Sequence, residues 1–157
     1  MKPKIVVLNG SNLNMLGVRE PQIYGRDTLA DIDKRLQALA PTLGLEVELR
    51  QSNNEGDLVT WIQQARSAAA GIVINPAAFT HTSIAVLDAL LLSDLPVIEL
   101  HLSNPHKREE FRDWSYASRT AKGIICGFGA HGYELALMAM AKLVKDEAAK
   151  KPAAGKA

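Results

Sequence analysis

The chain has 157 residues, 47% of them hydrophobic, and a formal charge of +1 at pH 7. That length suits one domain with a sizeable core, and the near-zero charge argues against nucleic-acid binding through bulk electrostatics. A single cysteine, Cys126, excludes an intrachain disulfide framework, and no run approaches the roughly 18 apolar residues that span a bilayer; with no leader-like segment before the first apolar run, a cytoplasmic protein without membrane association is expected.

Residues 5–8, Ile-Val-Val-Leu, read as a buried strand. A segment of about thirteen residues follows, 15–27, where two to six are usual between a strand and a helix. It holds Arg19 and Tyr24, and a neighbouring cation lowers the pKa of a phenol. Residues 28–39 predict a helix: Thr28 and Asp31 form a capping-box-like start, and Leu29, Ile32, Leu36 and Leu39 share one face. Gly44 marks its end. Residues 45–50 alternate as a strand. Residues 55–69 predict a helix with Leu58, Ile62 and Ala65 inward, and 71–74 a third strand. A helix over 82–92 and a strand over 96–100 follow. Residues 105–114 predict a short helix with Pro105 near its first turn. Residues 123–126 are the fifth strand and 132–145 the last helix. The single domain is expected to cover 1–145, with a helix end and disordered Ala/Lys tail over 146–157.

Five βα units with apolar strands predict a flavodoxin-like three-layer α/β sandwich with a five-stranded parallel sheet of order 2-1-3-4-5. Ligands of such sheets sit beyond the carboxyl ends of the strands, at the switch point between strands 1 and 3. There the sequence places Asn9-Gly10-Ser11-Asn12-Leu13-Asn14, Asn75-Pro76-Ala77-Ala78-Phe79-Thr80-His81 and His101-Leu102-Ser103-Asn104. The start of the 105–114 helix would offer free N–H groups to a carboxylate, with Arg108 and Arg112 completing an anion pocket and Glu109 and Glu110 opposing them. No GxGxxG, GxxxxGK[ST] or GxSxG motif is present. His81, His101, His106 and Glu99 lack the spacing of a zinc site, so no metal is expected. Lys107 and Lys122 sit in polar settings, which disfavours imine chemistry. A small-anion binding or regulatory module stays open as the alternative to an enzyme.

As a set, Asn9-Gly10-Ser11-Asn12-Leu13-Asn14, Gly17-Val18-Arg19-Glu20-Pro21 with Tyr24-Gly25, Asn75-Pro76 through Thr80-His81-Thr82-Ser83, Glu99-Leu100-His101-Leu102-Ser103-Asn104 and Cys126-Gly127-Phe128-Gly129 resemble the type II 3-dehydroquinate dehydratases of the shikimate pathway, which serves aromatic amino-acid biosynthesis. The resemblance implies reversible anti dehydration of 3-dehydroquinate to 3-dehydroshikimate through an enolate, with no cofactor. It implies Tyr24 as base, Arg19 as stabiliser of the ionised base and His101 as acid, with Glu99 orienting His101. It implies Asn75, His81, Arg112 and the Leu102–Ser103 backbone as substrate contacts, Asn12 near the ketone and Arg108 near the long loop. It further implies a homododecamer of trimers, in which Asp88 reaches a neighbouring subunit's site. Ala77 and Leu87 stand where Gly and Arg are common. Ala77 therefore requires either φ < 0 or some backbone strain.

Overall fold

A computed structural model of the chain describes residues 1–18 and 20–151. Strands β1 (Lys4–Asn9), β2 (Glu46–Gln51), β3 (Gly71–Asn75), β4 (Val97–His101) and β5 (Gly123–Cys126) form one parallel sheet in the order β2-β1-β3-β4-β5, as expected. The sheet lies between two helical layers, which completes the expected flavodoxin-like three-layer sandwich. Side chains alternate along each strand. Ile5, Val7, Val73, Ile98 and Leu100 enter one core, and Val6, Leu8, Ile72, Ile74 and Val97 the other.

The long first loop contains a four-residue helix, α1 (Pro21–Tyr24). Helix α2 (Leu29–Leu39) begins at the expected capping box: Asp31 N–H donates to Thr28 Oγ1 at 3.1 Å, and Thr28 N–H to Asp31 Oδ2 at 3.0 Å. A 3₁₀ turn, Ala40–Leu43, carries the chain on to Gly44 at φ 72°. Helix α3 (Glu55–Ala68) buries Leu58, Ile62 and Ala65 as predicted. Helix α4 (Ile84–Ser93) starts later than its pattern suggested, because Ser83 Oγ caps it by accepting from Val86 N–H at 2.9 Å. Helix α5 (His131–Lys150) runs past the expected end at 145. Residues 152–157, part of the expected tail, lie outside the described residues, as does Arg19. α2 and α5 cover the first core, α3 and α4 the second. No helix among the described residues is long and apolar enough to cross a membrane.

The predicted helix over 105–114 is absent. Two single 3₁₀ turns, Pro105–Lys107 and Glu110–Arg112, flank an extended Arg108 (φ −117°, ψ −160°) and Glu109 (φ −62°, ψ 143°). Cations in a first turn oppose a helix, and the extended backbone lets Arg108 reach Tyr24 and Ser103. The expected helix N-terminus for a carboxylate is lost with it.

β1 and β3 meet tightly at their carboxyl ends. Asn9 pairs with Asn75 across the ladder, and Gly10 N–H donates to Asn75 O at 2.8 Å. A Cβ at Gly10 would lie 2.2 Å from Pro76 O, so only glycine fits.

Candidate active site

At the switch point a cleft of about 730 Å³, open to solvent, is lined from three strand ends and the first loop. Of the predicted residues, Asn12, Tyr24, Asn75, His81, His101, Leu102, Ser103, Arg108 and Arg112 all line it.

Tyr24 ends α1 and reaches the cleft from the long loop. Arg108 Nη1 donates to its phenol oxygen at 2.8 Å, and the guanidinium carbon lies 5.4 Å from the ring centroid. Arg108 also donates to Ser103 Oγ at 3.4 Å. Arg112 Nε donates to Glu109 Oε2 at 2.5 Å, and Arg108 Nε lies 4.0 Å from the same carboxylate. Both arginine side chains are mostly buried, and Glu109 is exposed.

His101 is the last residue of β4, and Glu99 lies two residues earlier on the same face. His101 Nε2 stands 3.3 Å from Glu99 Oε1. Glu99 is buried, and burial alone would raise its pKa. Hydrogen bonds from His101, Ser115, Ser118 and Thr80 outweigh that and hold the carboxyl at about 2. An ionised carboxylate only accepts, so the His101 proton facing it sits on Nε2, and Nδ1 is left for the cleft. His81 is held differently: its Nδ1–H donates to Trp114 O at 2.6 Å, which leaves Nε2 available.

Asn12 takes the left-handed conformation (φ 67°), which Asn tolerates, and its N–H donates to Asn53 Oδ1 at 2.9 Å. Ala77 also has positive φ, at 53°, so the strained alternative holds at this position. Asn75 is buried but for one edge: its Oδ1 accepts from Ala77 N–H at 3.2 Å and its Nδ2 donates to Tyr133 Oη at 3.0 Å.

Asp88 lies apart from this cleft, exposed on the outer face of α4 near the exposed Ile84, Leu91 and Leu92. His106 is exposed and faces Asp113 at 3.3 Å, and His131, exposed at the start of α5, faces Glu134 at 3.6 Å.

Sequence reading gave Thr80 no role at Glu99 and missed Ser115, Ser118, Tyr133 and Asn53. One signal was available. An acid inside an apolar strand, as Glu99 is, must find donors. Which remote loops supply them is not written in local pattern.

The model of the family described as "Dehydroquinase class II" matches residues 3–141. The chain is 58% identical over 149 residues to a protein of Pseudomonas putida named 3-dehydroquinate dehydratase 2, covering 95% of this chain and 100% of that one. Among solved structures it resembles the type II dehydroquinase of Propionibacterium acnes (TM-score 0.87, 48% identity, 90% and 98% of the two chains). That of Butyrivibrio crossotus gives a TM-score of 0.85 at 42% identity, over 88% and 97%. A match over nearly the whole chain, with the fold and the composition of the cleft, places it: the chain belongs to the class II dehydroquinase family.

Proposed function

We infer that this chain catalyses the reversible anti dehydration of 3-dehydroquinate to 3-dehydroshikimate, and that Tyr24 and His101 are its base and acid. The observation that carries the reading is their placement on one cleft, the phenol oxygen in contact with Arg108 and the imidazole backed by an ionised Glu99. The tyrosinate oxygen takes the proton from the carbon next to the ketone, leaving an enolate. The imidazolium, with Nε2–H on Glu99, gives its Nδ1 proton to the departing hydroxyl. The C–O bond breaks, the alkene forms and water leaves. Arg108 offsets negative charge on the phenol oxygen. Arg19 is assigned the same task by its motif.

Asn12, directly or through a water, meets the enolate oxygen. Asn75, the Leu102–Ser103 backbone, His81 and Arg112 hold the carboxylate and hydroxyls away from the bond being broken. In this reading the protein is cytoplasmic and assembles as a dodecamer of trimers. The apolar surface of α4 around Asp88 supports such packing, because a large exposed apolar face calls for a cover. Asp88 then completes a neighbouring subunit's site, and Leu87 removes the charge common at its position.

The test is an ultraviolet assay for the conjugated enone with 3-dehydroquinate. Tyr24→Phe is expected to lose about 10²-fold or more in kcat with little change in KM. Turnover near wild type would end the assignment of Tyr24. Asp88→Asn is expected to raise KM or shift the sedimentation coefficient; no change in either would remove Asp88 from the site.

A further inference from the structure

Tyr133, on α5, is fully buried beneath the cleft, and the reaction does not use it directly. It belongs to a hydrogen-bonded chain with a fixed direction. Asn9 Nδ2 donates to Arg50 O at 3.0 Å. Tyr133 O–H donates to Asn9 Oδ1 at 2.6 Å. Asn75 Nδ2 donates to Tyr133 Oη at 3.0 Å, and Ala77 N–H donates to Asn75 Oδ1 at 3.2 Å. Both ends are backbone groups. The Arg50 carbonyl can only accept and the Ala77 amide can only donate, so no member can turn its amide without losing a bond. Burial raises the Tyr133 phenol well above its ordinary value, against the opposing bond from Asn75, so it keeps the proton it gives to Asn9.

An amide's oxygen and nitrogen ends are alike in shape but opposite in hydrogen bonding, so the network here decides the orientation. Asn75 lines the cleft with one Nδ2 hydrogen already spent on Tyr133. We propose that Tyr133 is a positioning residue: with Asn9 it holds the Asn75 amide so that the cleft receives an N–H donor, which selects an oxygen acceptor on the substrate. The proposal rests on the reading that Asn75 touches substrate.

The experiment is a double-mutant cycle in KM and kcat with 3-dehydroquinate, using Tyr133→Phe, Asn75→Ala and both together. Tyr133→Phe is expected to raise KM about tenfold with kcat within about threefold, and to add nothing in the Asn75→Ala background. Wild-type KM in Tyr133→Phe, with Asn75→Ala impaired, overturns the relay alone. Effects that multiply in the double variant also overturn it, since they show Tyr133 acting other than through Asn75. Wild-type KM in Asn75→Ala overturns the substrate contact and the proposal with it. Leu58→Ala, in the opposite core, controls for lost stability: it should lower Tm and leave KM alone, and an equal rise in KM there would reduce Tyr133 to a core residue. Should Tyr133→Phe fail to fold, Asn9→Ala frees the phenol proton to turn toward Asn75; it is expected to raise KM, and a wild-type KM there refutes the relay.

Discussion

Replacing Glu99 by Gln removes a buried negative charge while keeping the side chain's shape, and its effect is largest as a dependence on pH. In the folded protein the carboxyl titrates at about 2, against an ordinary value of 4.5. At 1.36 kcal/mol per pH unit, that difference contributes about 3 kcal/mol of stability at pH 7. The sign follows from the depressed folded value. The contribution is complete above about pH 5, falls as pH drops below 4.5, and is gone below about 2; about 2 kcal/mol of it is lost by pH 3. Urea unfolding of the wild-type protein and of Glu99→Gln from pH 7 to 3 measures it. Distant carboxylates titrate alike in both proteins and cancel, so the difference between the two curves reports Glu99 together with the His101 bonded to it. That difference should shrink by about 2 kcal/mol on acidification. Parallel curves would refute the ionised, fully bonded state of Glu99, and with it the assignment of the His101 proton to Nε2.

Arg108→Ala should lower kcat about 10–100-fold, since it removes a charged donor 2.8 Å from the Tyr24 oxygen; unchanged kcat would show that the contact does not act in the reaction. Ala77→Gly should stabilise the fold by about 1 kcal/mol, because a residue at φ 53° carries strain that glycine lacks; a lower Tm would refute that strain. Gly10→Ala should cost about 3 kcal/mol, because its Cβ would collide with the Pro76 carbonyl and neither backbone can yield cheaply; a Tm within about two degrees of wild type would count against the close approach.

The sheet was legible because each strand is a short apolar run between punctuated helices, and a parallel order follows from that alternation. The Thr28 box and the inward Leu58, Ile62 and Ala65 were legible for the same local reason. The 105–114 segment was not. Its composition permits a helix, but Arg108 gains more by extending to Tyr24 and Ser103, a choice made between distant parts of the chain. Likewise Glu99 announced a need for donors, yet Thr80, Ser115 and Ser118 come from loops that only the fold brings together. Nothing in the local pattern of the last helix singles out Tyr133. Its hydroxyl bonds Asn9, which lies 124 residues away in sequence.

The two groups proposed to handle protons also differ in what holds them. His101 ends an interior strand, above a carboxylate locked by three hydroxyls. Tyr24 ends a four-residue helix with no buried residue, too short to be stable by itself. Amide hydrogen exchange should therefore divide the cleft in two. The strand-end amides exchange only through global opening, and those of α1 exchange orders of magnitude faster. The proposed acid sits in a rigid frame, and the proposed base on a short helix that opens more cheaply than the strand end.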